Sequence, residues 1–250
     1  MVPALRLFSS LQKPCSWIRS DHSRRILCHS EPPYPVWIWT ADGLGEAEKA
    51  AVLALTEALC PLSAGYRINL KHELAEYLLA GARRAGLEAG IVKQLFAYDC
   101  PEPLPPVKAA DGALRRCTEA DLPELLRLLP RFYAEIGEHV PAPERIAERA
   151  SAKLAQGSFF VWEDAGGKTV ACCAYTRQEG LTAVNDVYTL PEARRKHYAQ
   201  NLVYGVTKLI RGMGELPMLY TNAEYPASNA CYRQIGYRLQ GKLCTIARRD

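Results

Sequence analysis

The chain has 250 residues, 31 Lys plus Arg against 27 Asp plus Glu, and a formal net charge of +4. Apolar types make up 48% and charged types 23%, which excludes a disordered, collagen-like or coiled-coil chain, and no apolar run approaches the roughly 18 residues of a membrane helix. A net +3 falls in residues 1–31, which leaves the rest at +1, so overall charge gives no case for nucleic-acid binding.

Residues 1–35 mix Arg, Ser and aromatic types without a sustained period and end in Pro32-Pro33-Tyr34-Pro35. They read as a loose, poorly ordered extension or a segment translated from an upstream start. The same composition also suits an organelle transit peptide, whereas a secretory signal is excluded by the lack of an apolar core. Val36-Trp37-Ile38-Trp39-Thr40 reads as a strand, and helices are expected over about 46–59 and 71–84. A strand over Ile91–Tyr98 completes a small α/β unit, 36–100, which carries no motif with attached chemistry. Pro101-Glu102-Pro103-Leu104-Pro105-Pro106 then marks a stiff linker, 101–111, and a domain boundary.

The second half, 112–250, opens on a strand at Leu114–Cys117, with Thr118 as the cap of a helix whose apolar face is Leu122, Leu125, Leu126, Leu129 and Phe132. A helix over about 143–155 follows. Three strands joined by short turns come next, at Ser158–Glu163, Thr169–Thr176 and Leu181–Thr189. The pattern closes with a helix over about 194–211, a strand at Met218–Asn222, a helix at Ser228–Ile235 and a strand from Tyr237 to Ala247. Nine cysteines occur without a C-x-x-C pair and without His at ligand spacing. They read as reduced core residues, and no metal site is expected.

One segment points to a ligand. The strand ending Asn185-Asp186-Val187-Tyr188-Thr189 runs through Leu190-Pro191-Glu192-Ala193 into Arg194-Arg195-Lys196-His197-Tyr198-Ala199 at the start of a helix. Three adjacent cations oppose the dipole of a helix N-terminus unless an anion sits there, and the N–H groups of that terminus suit a phosphate. The alternative is a solvated first turn.

Arg194–Ala199 resembles the Q/R-x-x-G-x-G/A signature of the GNAT superfamily, the acetyl-CoA-dependent N-acetyltransferases. Asn229-Ala230-Cys231-Tyr232-Arg233-Gln234-Ile235-Gly236-Tyr237 resembles that family's later Asn–x–x–Tyr helix, which ends in Gly and an aromatic. Both motifs stand on the expected elements at the expected separation, so the resemblance covers about 112–248. It implies an α/β (α+β) fold: a GNAT-like mixed central sheet with flanking helices, plus the smaller N-terminal α/β subdomain.

The resemblance further implies that acetyl-CoA is the cosubstrate and a primary amine of a small molecule or peptide the acceptor. The pantetheine arm would pair with the backbone of Val187, Tyr188 and Thr189, and the pyrophosphate would lie over Arg194, Arg195, Lys196, His197, Tyr198 and Ala199. Asn229 and Tyr232 would face the same cleft, with Tyr232 the acid for the leaving thiolate, and Gly236 would end the helix in a left-handed conformation. One family glycine is replaced by His197, which suits the turn if its φ stays helical. Strand alternation places Asn185 with Val187 and Thr189 and turns Asp186 the other way. The base is then expected to be a water held by Asn185, with Glu163, Glu179 and Glu224 as undistinguished carboxylates.

The alternative reading is a non-catalytic GNAT-like CoA-binding or regulatory module. No nucleic acid, membrane or metal enters either reading. A cytoplasmic location is expected, and a homodimer is compatible with both. Residues 36–100 are open to capping the acceptor cleft, to dimerisation or to simple packing.

Overall fold

A computed structural model describes residues 16–32, 34–137, 140–178 and 180–249. Residues 1–15 of the expected extension and the candidate carboxylate Glu179 lie outside the described residues. The chain divides into two compact units, one formed by 1–97, 221–225 and 240–250 and the other by 98–220 and 226–239.

In the first unit, strands β1 (Trp17–Ser20) and β2 (Arg25–His29) form an antiparallel pair. Strand β3 (Val36–Thr40) pairs antiparallel with β2 and parallel with β4 (Ile68–Lys71). Strand β4 pairs antiparallel with β11 (Arg238–Arg248), which neighbours β5 (Ala89–Asp99). Helices α1 (Glu46–Leu59) and α2 (His72–Arg84) supply Val52, Leu74, Leu78 and Leu79 to a core shared with Leu27, Ile38, Ile68, Leu70 and Ile246.

Part of the expected loose extension is therefore strand. Residues 17–29 show no clean alternation because β1 and β2 lie at one end of the strand order, with only part of their side chains covered. Leu27 and Cys28, buried in β2, hold the hairpin to the core. The boundary also differs from the expected linker, falling between Ala97 and Tyr98. The proline-rich segment packs within the second unit, where the Leu104 N–H donates to the Ile235 carbonyl at 2.7 Å.

The second unit is a sheet in the order β10-β9-β8-β7-β6. Strands β6 (Ala113–Arg116), β7 (Phe159–Glu163), β8 (Thr169–Gln178) and β9 (Leu181–Thr189) are joined antiparallel. Strand β10 (Leu216–Asn222) joins β9 in parallel, as a strand–helix–strand crossover through α5 (Tyr198–Gly212) requires. Four successive residues of β7, Phe159 to Trp162, are buried, so both faces of the sheet are covered. Helix α3 (Leu122–Glu135) packs with α4 (Pro143–Ala155) and against β9, while α5 packs against β6 to β9. Helix α6 (Pro226–Gln234) follows β10. Among the described residues no helix is long and apolar enough to cross a membrane.

Two polar clusters tie this sheet together. Arg115 reaches both Asp121 (2.8 and 2.9 Å) and Glu163 (2.7 and 2.9 Å), which joins β6, β7 and the turn before α3. At the foot of β10, Glu215 accepts from Arg177 of β8 and from the hydroxyl of Thr182 of β9, which is fully buried.

Two predictions follow from these clusters. Arg115, and then the Thr118 N–H, hold the Asp121 carboxyl down to about 2 from 3.8. Its contribution is thus present above pH 3.8 and is lost as pH falls through about 2. Asp121→Asn is expected to lower stability by about 1 kcal/mol near neutral pH, allowing for the exposed edge of Arg115, with the difference closing in acid. Thermal unfolding against pH measures this. Glu215→Ala leaves the Thr182 hydroxyl buried without its acceptor and is expected to cost about 1–3 kcal/mol in urea unfolding.

Candidate functional site

The parallel pairing of β9 with β10 runs over Leu216↔Leu181, Pro217↔Thr182 and Met218↔Ala183 and stops there. Beyond it β9 continues to Thr189 with β8 as its partner, so the edge of residues 184–189 facing away from β8 is parted from β10. Val187, Tyr188 and Thr189 lie on this stretch. The Tyr188 side chain is 5% exposed and packs edge-on against Phe132, with ring centroids 6.5 Å apart. Only the backbone of Tyr188 is thereby left for a ligand.

Within the same stretch β9 carries an extra residue. Tyr188 faces Cys172 and Asn185 faces Ala174, so Asp186 and Val187 oppose Cys173 alone. Asp186 takes φ +51°. This bulge corrects the regular alternation expected from the sequence. Asn185 and Asp186 do not point to opposite faces, because both hydrogen-bond the ammonium of Lys153. Asn185 Nδ2 further donates to Thr176 Oγ1 at 3.0 Å and to the Ala183 carbonyl at 3.1 Å, so its amide is fully engaged.

After β9, Pro191–Ala193 forms a 3₁₀ turn, Arg194 is extended, and Arg195 and His197 both take left-handed conformations, at φ +63° and +65°. Helix α5 starts only at Tyr198, four residues later than expected. The cations consequently stand ahead of the helix and not in its first turn. His197 does not meet the condition of a helical φ under which it suits the turn, and adopts the backbone that glycine adopts without strain.

Arg194 is held in place, its Nε donating to the Thr189 carbonyl at 3.2 Å and its guanidinium pairing with Glu135 beside the Tyr188 ring. Arg195, Lys196 and His197 are exposed. The Tyr198 phenol is buried against the Asp111 carboxylate, which with desolvation pushes it up to about 12. Tyr198 and the half-buried Ala199 open the first helical turn, whose backbone N–H groups have no intrahelical acceptor. Exposed cations ahead of such a terminus form an anion-binding turn.

The turn is linked to the helix of the second motif. His197 Nδ1 lies 3.3 Å from Gln200 Oε1, and Gln200 Nε2 donates to Gln234 Oε1, also at 3.3 Å. Helix α6 carries Asn229, 2% exposed, and Tyr232, whose ring meets that of Tyr237 at 5.9 Å and 66°. Tyr237 is anchored in turn by a hydrogen bond of 2.8 Å with Thr207. Burial pushes the Tyr232 phenol well above its ordinary range, so it stays protonated. Gly236 ends the helix at φ +102°, and a Cβ there would lie 2.6 Å from the Glu102 carbonyl oxygen.

Sequence reasoning missed Gln200, three residues from His197, and Lys153, Gln234 and Glu135, which reach the site through tertiary contact. The bulge did leave a signal, since Asn-Asp inside a strand places together two residue types that sheets disfavour and left-handed positions tolerate. Of the candidate carboxylates, Glu163 is bound by Arg115, and Glu224 is exposed in the first unit.

The family model described as "FR47-like protein" matches residues 165–246, from the turn before β8 to β11. A GCN5-related N-acetyltransferase from Kribbella flavida superposes with a TM-score of 0.66 at 17% identity, covering 100% of this chain and 95% of its own. The fold is that of the GNAT superfamily. A Drosophila protein superposes on this GNAT fold at TM-score 0.68 and 16% identity, covering 98% of this chain and 86% of its own. A GCN5-related N-acetyltransferase from Sphaerobacter thermophilus does so at 0.63 and 13%, covering 90% and 80%. No curated protein sequence matches the chain.

The left-handed backbone of His197 carries a stability prediction. A non-glycine residue there costs about 1–2 kcal/mol, partly offset by the extra unfolded-state freedom glycine would bring. His197→Gly is expected to raise stability by up to about 1 kcal/mol in urea unfolding, whereas His197→Ala is expected to bring no gain.

Proposed function

We propose that this protein is an N-acyltransferase that moves an acetyl group from acetyl-CoA to a primary amine by direct attack. The observation that carries the reading is the parting of β9 from β10 beside a cationic turn that opens α5. A thioester arm can lie along the freed edge of β9 at Val187–Thr189, and a pyrophosphate against Arg195, Lys196 and the N–H groups of Tyr198 and Ala199. Arg195 and Lys196 fit such a group, being exposed and cationic. Arg194, already paired with Glu135, acts in this reading as a support for the turn.

In the reaction the amine nitrogen attacks the thioester carbonyl, a C–N bond forms and the C–S bond breaks. Backbone N–H groups of β9 stabilise the oxygen that gains charge. Tyr232, a phenol on α6, gives its proton to the departing thiolate as the C–S bond breaks and regains one from solvent. The amine proton leaves to water, since Asn185 and Asp186 are both engaged by Lys153. Asn229, buried on α6 three residues from Tyr232, faces the same cleft in this reading.

A second reading has its own support. The same engagement of Asp186, together with the side chain at the left-handed position 197, favours a GNAT-like module that binds CoA without turnover. Calorimetric titration with CoA, followed by assay of thiol release from acetyl-CoA over a panel of primary amines, separates the two. Under the primary reading CoA binds and an amine is acetylated. Tyr232→Phe then lowers kcat by about 10²-fold while CoA affinity stays within a few-fold. Unchanged turnover in that variant removes the acid role.

A further inference from the structure

The bulge of β9 is an energetically unfavourable element that must be held. An extra residue puts Asp186 in a left-handed conformation, and loss of the bulge would shift the register by one and exchange the two faces of every residue after it. Those residues, Val187 to Thr189, form the freed edge of the strand. What holds the bulge comes from three elements. Lys153, in the last turn of α4, donates to Asn185 Oδ1 at 2.6 Å and pairs with the Asp186 carboxylate. Thr176 of β8 and the Ala183 carbonyl of β9 fix the amide end of Asn185. The Lys153 and Asp186 side chains are only 20% and 14% exposed, and the ammonium lies 5.9 Å from the centre of the Phe159 ring. A cation so placed has few other partners and little freedom to leave.

We infer that Lys153 is a positioning residue: by clamping Asn185 and Asp186 it fixes the phase of the bulge, and so sets which backbone N–H groups of Val187–Thr189 meet the acyl carbonyl. The inference rests on the acyltransferase reading for its effect on turnover and on geometry alone for its effect on the strand. The Lys153–Asp186 pair acts through the backbone and touches no reacting atom. A cleft that binds CoA through its phosphates therefore keeps its affinity when the clamp is lost, while the carbonyl is left misplaced.

The test uses the full chain as wild type, Lys153→Met, Asp186→Asn and Lys153→Arg. Asp186→Asn keeps a residue tolerant of positive φ and removes only the charge, so it reports even if Lys153→Met does not fold. Three readouts are taken: hydrogen exchange of peptides spanning 183–190, calorimetric CoA affinity, and acetyl transfer to whichever amine of the panel is turned over. In Lys153→Met and Asp186→Asn we expect exchange over 183–190 to rise about tenfold or more without a matching rise in β7. CoA affinity is expected within about threefold of wild type, and kcat about tenfold or more lower. Lys153→Arg is expected to restore exchange protection and most of kcat. Unchanged exchange over 183–190 in Asp186→Asn overturns the clamp, whatever the activity. Altered exchange with unchanged kcat overturns its role in catalysis. Failure of the wild type to bind CoA rejects the acyltransferase reading and its catalytic consequence together, while exchange still decides whether the clamp exists.

Discussion

Strand β9 sets two residues, Asp186 and Val187, against the single Cys173 of β8, and the backbone has to absorb the excess. Before the bulge β9 pairs with both neighbours; after it, only β8 remains a partner. The strand thus turns from an interior member of the sheet into one side of an opening. The local cost of the left-handed residue is met by side chains from α4 and β8, and at the base the Glu215 cluster ties β8, β9 and the start of β10. The opening is bounded by one pinned end and one pinned bend.

Electrostatics in this region are local. Little net charge lies beyond residue 31, yet Arg194, Arg195 and Lys196 fall together just ahead of α5. Arg194 is balanced internally by Glu135, which leaves Arg195 and Lys196 facing water at the positive end of a helix dipole. Two left-handed residues in four are needed to bring the chain around this corner. Gln200 and Gln234 then connect it to the end of α6, the helix bearing Tyr232.

Most elements of the second unit were legible, because long amphipathic helices and short turn-bounded strands leave strong periodic signals. Helix α4 falls on the residues its spacing predicts, and the start of β9 follows directly from the turn at Gly180. The start of α5 was misplaced because cations and a histidine give no sign of positive φ where glycine would have done so. Strands β1, β2 and β4 escaped notice for another reason. Each is five residues or fewer, too short to show a period, and β1 and β2 also lie at one end of the strand order with part of their side chains uncovered. Lys153, Gln200 and Gln234 illustrate a third limit. Each reads as an ordinary polar residue of an amphipathic helix, and the contacts Lys153–Asn185 and Gln200–Gln234 each span more than thirty residues.

The strand order of the first unit also bears on how the molecule is built. Strand β11, from near the end of the chain, pairs with β4, through contacts such as the buried hydrogen bond from Thr245 to Asn69 at 2.6 Å. During synthesis the ribosome must therefore deliver nearly all of the second unit before the first can close. Until then the hydrogen-bonding edge of β4 that awaits Leu243–Ile246 stands bare, and Ile68 and Leu70 lack Ile246 and Cys244 as cover. The half of the protein made first is the half that finishes last.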